Sequence, residues 1–358
     1  MRKITDRDIY VKIKEIADLH SYDEDTIALL CATVPTMVKY YGEEHADRIF
    51  ETLTEVPIEL GGLGRNAADA AKEQNQPGVT YTWIGEEESP EAAGAVLTLA
   101  AGVYASKPIL EEQNGSFVVA GKSRTIFVNK SENASYMMGT FIHEVSHAIK
   151  SQVNEFSLEE DKDGKTILTT RCGLQQIRSY IYKDENEALV VADFQNDNLG
   201  IEEGINAWDE LQMMNIILSN NISPATPKAR EMVEVAKKST GGEYKLGGYV
   251  ALSKIAGTLL RECGYEADIR GDQFNATNNF ESKFDEQAAQ NGTSTFETLN
   301  NYIDKEVKLS YETFNSLFSD NLDEIVSKRK ENIQKIRAIL NATKAETSPR
   351  KDVGYDSV

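Results

Sequence analysis

Apolar residues return every three to four positions through the first sixty residues, at Ile9, Ile13, Ile16 and Leu19 and again at Ile27, Leu30, Val34 and Val38. That spacing follows the helical period of about 3.6 residues and predicts helices with one apolar stripe each. Between about residues 80 and 129 the pattern shortens to β-like runs, notably 116–120 and 125–129, with Gly121-Lys122-Ser123 as the expected turn of a hairpin. A longer stretch follows over 135–152, in which Met138, Phe141, Ile142, Val145, Ala148 and Ile149 share one face and predict an amphipathic helix. A second hairpin is expected from 153–158 and 166–172 around Asp161-Lys162-Asp163-Gly164. From 200 to 343 the pattern is mainly helical, with one helix over 249–260. The Ala- and Gly-rich run 92–105 reads as a buried helix, shorter than the roughly 20 residues that span a bilayer.

Charge narrows the partners. The 358 residues carry 58 acids against 38 Lys and Arg, a formal net charge of −20. A phosphate backbone or an anionic membrane surface needs the opposite balance, so neither nucleic acid nor membrane is an expected partner. Cys31, Cys172 and Cys263 are far apart and form no C-x-x-C pair, so the sequence suggests neither a disulfide framework nor a thiolate zinc cluster. The charged N-terminus has no apolar region of a secretory signal, so a cytoplasmic protein is expected.

Histidine is scarce, four in the chain, and two of the four form one arrangement. His20 and His45 have no His or Cys at ligand spacing and read as surface or capping residues. His143-Glu144-Val145-Ser146-His147 is an H-E-x-x-H motif inside the expected helix of 135–152. Residues four apart stand one turn above each other on one helix face, so both imidazoles reach one metal ion. Chance placement would give this motif on the order of one time in a hundred for such a chain. Zinc suits imidazole and carboxylate ligands with one position open to water. Such a site lowers the pKa of bound water toward neutrality. With no other His or suitable Cys nearby, a carboxylate has to complete the site. The acids of Gly200-Ile201-Glu202-Glu203-Gly204, at the start of a second helix, are the candidates. Acids placed there simply to complement the helix dipole are the bland alternative.

These residues resemble the gluzincin branch of zinc metallopeptidases, which place H-E-x-x-H on one helix and a Glu, often followed by Gly, on the next. The resemblance spans 125–210 and includes Arg171-Cys172-Gly173-Leu174, which looks like uncharacterised bacterial members of the group. It implies His143, His147 and Glu203 as zinc ligands, with Glu202 the runner-up, and Glu144 as general base. It also implies that 125–129 is an edge strand along which an extended peptide or protein substrate lies. Many members carry an acid four positions after the third ligand; here that position is Ala207, and Asn206 or Glu210 is the available substitute. A Tyr or His often steadies the oxyanion, which points first to Tyr249, with Tyr244 and Tyr182 behind it.

The expected class is therefore α+β and zincin-like, mainly helical with a small antiparallel sheet beside the motif helix. The expected organisation is an N-terminal helical segment (1–65), a metal-binding catalytic core (66–220), a C-terminal helical subdomain (221–343) and a disordered tail (344–358). The glycines at 61, 62 and 64 form the first bend. Two further readings stand beside the peptidase: a zinc-binding module without efficient hydrolysis, and a cysteine hydrolase pairing Cys172 or Cys263 with His20 or His45, for which no local motif exists.

Overall fold

The computed structural model describes residues 4–61, 75–84, 101–219, 224–317 and 321–344. Three helices open the chain, α1 (Asp6–His20), α2 (Glu24–Tyr41) and α3 (Ala46–Glu55). Thr5 and Asp8 close a reciprocal capping box on α1, and the Asp23 carboxylate accepts the Thr26 N–H at the start of α2. Ile9, Ile13 and Ile16 are buried as the stripe predicts, whereas Leu19 is 63% exposed at the end of α1.

The first sheet has the order β1-β4-β3, with β1 (Ile58–Gly61) parallel and β3 (Gly102–Gln113) antiparallel to β4 (Ser116–Asn129). The hairpin turn is Asn114-Gly115, both left-handed, the pair that best matches strand twist in a two-residue turn. This corrects two expectations. Strand β4 runs unbroken through Gly121-Lys122-Ser123, and Gly121 pairs with Ile109 beside a register shift, so the glycine marks an irregularity in the ladder rather than a turn. Residues 102–105, expected in a buried helix, belong to β3; residues 92–100 of that run lie outside the described ones. A third correction concerns the edge. Residues 126–128 of β4 pair with β1 on one side and β3 on the other, so β4 is central and, among the described residues, β1 and β3 are the edges.

The second sheet has the order β2-β8-β7-β6-β5, from β2 (Val79–Trp83), β5 (Phe156–Glu160), β6 (Thr166–Cys172), β7 (Gln175–Lys183) and β8 (Leu189–Asp197). The β5–β6 hairpin forms around Asp161, whose carboxylate accepts the N–H groups of Asp163 and Lys165. Strand β2 runs parallel to β8, so both sheets are mixed where one small antiparallel sheet was expected. The α+β class holds.

Eight helices complete the described chain: α4 (Ala134–Lys150), α5 (Leu199–Leu218), α6 (Pro227–Thr240), α7 (Val250–Gly257), α8 (Glu266–Asn275), α9 (Asn279–Asn291), α10 (Phe296–Asn315) and α11 (Leu322–Thr343). A π-helical turn, Thr258–Glu262, extends α7. One apolar core joins α1–α3 to α4, α6 and the second half of α5, through Met213, Met214 and Ile217. Another joins the first half of α5, through Ile201 and Ile205, to α7–α11. Helix α5 therefore belongs to both cores and fixes α4 relative to the C-terminal helices. Helix α4 forms as its stripe predicts and is enclosed on its polar side as well. Every residue from Ala134 to Lys150 except Tyr136 is buried, including the polar His143, Glu144, Ser146, His147 and Lys150. Among the described residues no helix is long and apolar enough to cross a membrane. Of the glycine-rich bend, 62–66 lie outside the described residues, as do 345–358 of the expected tail.

Candidate metal centre

The polar side of α4 faces the start of α5. His143 and His147 lie one turn apart with ring centroids separated by 5.0 Å. Their Nε2 atoms converge on one carboxylate, His143 at 3.1 Å from Glu203 Oε2 and His147 at 3.5 Å from Glu203 Oε1. One ligand atom from each of the three residues lies within 4.8 Å of the others, a cluster that could hold a metal ion. Glu202 is not part of it. Consecutive helical residues are about 100° apart around the axis. Glu202 accordingly turns away, accepting the Leu174 N–H at 2.9 Å and the Gln273 amide, with Lys150 Nζ at 3.6 Å. The glycine after Glu203 has a packing reason: a Cβ at Gly204 would lie 2.8 Å from the Leu252 carbonyl oxygen, where α7 rests on α5.

A second layer of partners holds the imidazoles. His143 Nδ1 lies 3.2 Å from Glu210 Oε2, and the Tyr244 hydroxyl donates to the other oxygen of Glu210. With Nδ1 donating to Glu210, the Nε2 lone pair of His143 is directed toward Glu203. The acid missing at Ala207 is thus supplied from Glu210, nearly one turn later on α5. Room for this contact comes from Gly139, where a Cβ would lie 2.0 Å from the Tyr244 hydroxyl and 2.7 Å from Glu210 Oε1. His147 Nδ1 lies 3.3 Å from Cys172 Sγ at the end of β6, and Asn206 Nδ2 lies close to the same ring. Sequence reasoning grouped Cys172 with His20 or His45; the structure places it against His147 instead.

Glu144 lies beneath the open edge of the first sheet, where its Oε2 accepts the Tyr104 N–H of β3 at 2.7 Å. Tyr249 occupies the left-handed position preceding α7, with its ring nearly parallel to His143 at 6.1 Å. Its hydroxyl pairs with that of Tyr311 on α10 at 2.8 Å. Tyr311 is a residue that sequence reasoning missed, since no local pattern links positions on α7 and α10. The other two tyrosine candidates fall elsewhere: Tyr244 is committed to Glu210, and Tyr182 is 43% exposed on β7. His20 binds the Thr54 carbonyl oxygen at 3.0 Å, and His45 stacks on Phe274 at 4.2 Å. Cys31 and Cys263 are buried, and burial pushes both thiols up to about 11, against a nucleophilic role.

The electrostatics of the cluster are those of too few positive charges. Burial pushes the His143 pKa down, but hydrogen bonds to Glu203 and Glu210 outweigh it and raise the group to about 10. Burial likewise opposes the charge of His147, and Cys172 and Glu203 still hold it well above the usual imidazole value. Burial raises Glu203, yet the two imidazoles bring it below the ordinary carboxylate range. Glu144 is raised, chiefly by burial. Without a metal, then, the carboxylates keep the imidazoles protonated. Metal coordination requires neutral imidazoles, which leaves Glu144, Glu203 and Glu210 facing them, a donor set and charge that a divalent cation suits.

The same two helices build a different cluster on the other side of His147. Lys150 Nζ, fully buried, donates to Asn206 Oδ1 and lies 3.3 Å from Asp209 Oδ2. Arg270 donates to both oxygens of Asp209, which also accepts the hydroxyls of Tyr40 at 2.8 Å and Tyr41 at 3.1 Å. Tyr41 in turn meets Ser146 Oγ at 2.9 Å, so α2, α4, α5 and α8 are joined at one point. No protein-family model, curated protein or solved structure matches the chain.

Proposed function

We propose that the chain is a zinc-dependent metallopeptidase of the zincin type. The observation that carries this reading is the convergence of both Nε2 atoms on Glu203 while Glu210 and Cys172 occupy the two Nδ1 positions and Glu144 adjoins the cluster. His143, His147 and Glu203 hold the metal. A zinc ion held by them would supply Lewis acidity to a scissile carbonyl and would make a nearby water acidic enough to react near neutral pH. Glu144 would accept the proton of the attacking water and return it to the leaving nitrogen; its burial, which raises its pKa, suits a group with both tasks. The Tyr249 hydroxyl, held by Tyr311, donates to the oxyanion. An extended peptide lies along the open edge of β3, in place of 125–129.

Metal content and hydrolysis of a peptide library test the reading together. Purified protein is expected to carry one zinc, and Glu144→Gln to keep it while hydrolysis falls by roughly 10²- to 10⁴-fold. A protein without stoichiometric zinc under metal-replete, chelator-free conditions overturns it. A zinc-binding module without hydrolysis is the second reading, favoured by one contact: Glu144 Oε2 is already occupied by the Tyr104 N–H. Zinc binding with no cleavage by wild type, and a Glu144→Gln protein that behaves identically, decides for that module.

A further inference from the structure

We infer that Cys172 is the positioning residue of His147, the thiol that accepts its Nδ1–H and directs Nε2 toward the metal. The inference rests on the metal reading above and deepens it. Two groups compete for the description of His147. Asn206 Nδ2 is 2.8 Å from Nδ1 and 3.1 Å from Nε2. The two ring nitrogens point in widely diverging directions, so an atom nearly equidistant from both lies over the ring face and bonds in plane to neither. The amide oxygen of Asn206 is also committed, accepting from Lys150 Nζ, which leaves the amide nitrogen turned to the ring. Cys172 Sγ lies 3.3 Å from Nδ1; its S–H reaches the His147 carbonyl oxygen at 3.7 Å, which leaves the sulfur lone pairs as the acceptor for the Nδ1–H.

The thiol is held where it can do this. Cys172 ends β6, and the turn that follows is clamped from two sides. On one side Leu174 N–H donates to Glu202 Oε2 at 2.9 Å, one residue before the third ligand on α5. On the other, Arg171 donates to the Gly173 carbonyl at 3.0 Å, the Thr277 carbonyl at 2.7 Å and Asn278 Oδ1 at 3.0 Å, tying the turn to the connection between α8 and α9. The two imidazoles thus have unlike supports, a carboxylate for His143 and a thiol for His147. Cys172 lies on the Nδ1 side of His147, opposite the Nε2 that faces Glu203, which places it behind the ligand rather than among the ligands.

The test uses the full chain with Cys172→Val, which removes the acceptor at similar size, and Cys172→Ser, which keeps one. Zinc affinity is measured by competition with a chromophoric chelator, and site geometry by the visible spectrum of the cobalt(II) form. Cys172→Val is expected to weaken zinc roughly 10- to 100-fold and to shift the cobalt bands, as loss of a ligand's outer partner does elsewhere. Cys172→Ser is expected to retain most of the affinity, at an unchanged thermal midpoint. Wild-type affinity and spectrum in Cys172→Val overturn the inference. So does a sulfur-to-cobalt charge-transfer band in the wild type, which would make Cys172 a ligand. Should Cys172→Val not fold, equal losses in Cys172→Ser and Cys172→Ala overturn it, since only Ser retains an acceptor. A wild type that binds neither metal defeats the proposed function instead. The His147 ¹⁵N shifts of wild type and Cys172→Ser then decide the hydrogen bond alone, identical shifts overturning it and a change confined to His147 supporting it.

Discussion

Helices α4 and α5 carry two buried charged clusters side by side, and the clusters are balanced in opposite ways. Around Asp209, two acids, Glu202 and Asp209, meet two basic side chains, Lys150 and Arg270, and the carboxylates also accept from Tyr40, Tyr41, Gln273 and Leu174 N–H. Around His143, three acids, Glu144, Glu203 and Glu210, face two imidazoles whose charge depends on pH. The first arrangement is closed and acts as a joint between helices. The second is complete only with protons or a metal, and that incompleteness is what suits it to chemistry. On α5 the two are interleaved residue by residue: Glu202 and Asp209 belong to the joint, Glu203 and Glu210 to the centre.

Parallel acid-to-amide changes break the comparison most strongly. Asp209→Asn strands Arg270 without its carboxylate and leaves Lys150 only Glu202, and should destabilise the fold by about 3–5 kcal/mol in a denaturant titration. Glu203→Gln should leave a folded protein that has lost stoichiometric zinc by metal analysis. If both variants lose only metal, or both lose only stability, the two clusters are not distinct. Gly139→Ala should follow, because its methyl group meets the Tyr244 hydroxyl. About 1–3 kcal/mol of stability is expected to go, and zinc affinity should fall with it as Glu210 is displaced from His143.

pH sharpens the same contrast. His143 is raised in the folded state to about 10 from an ordinary 6.5, so the metal-free fold binds an extra proton between those values. Its contribution to stability is therefore complete below about pH 6.5 and is lost as pH rises through about 10. The denaturation midpoint of chelator-treated protein should fall over that window, while the zinc-loaded protein, whose imidazoles are already neutral, should not follow it. The smallest effect belongs to Tyr311→Phe. Loss of one hydroxyl contact to Tyr249, about 0.5–1.5 kcal/mol, should lower kcat severalfold with KM nearly unchanged.

Local pattern revealed what local geometry decides. His143 and His147 had to share a helix face at four-residue spacing, and the β5–β6 turn followed from Asp161 and Gly164. In the β3–β4 hairpin the turn is Asn114-Gly115, a stronger two-residue hairpin signal than Gly121, which lies inside the strand beside a register shift. The resemblance separated Glu203 from Glu202, and the structure gives the reason in Lys150, Gln273 and Leu174 N–H, which hold Glu202 elsewhere. Tyr311, Tyr104 N–H and Cys172 reach the cluster from α10, β3 and β6. Their roles depend on tertiary contact between distant segments and leave no trace in spacing.

The enclosure of α4 has a consequence for any attempt to make the centre smaller. The resemblance covers 125–210, yet the helix bearing both histidines shares one apolar core with Ile9, Leu30, Val34 and Leu53 from before that span and with Met213, Met214 and Phe274 from after it. A fragment cut to the motif would expose most of the surface that keeps α4 in place. Retention of the proposed metal is therefore expected to depend on the whole chain, so that its loss would report damage at either end as well as damage at His143.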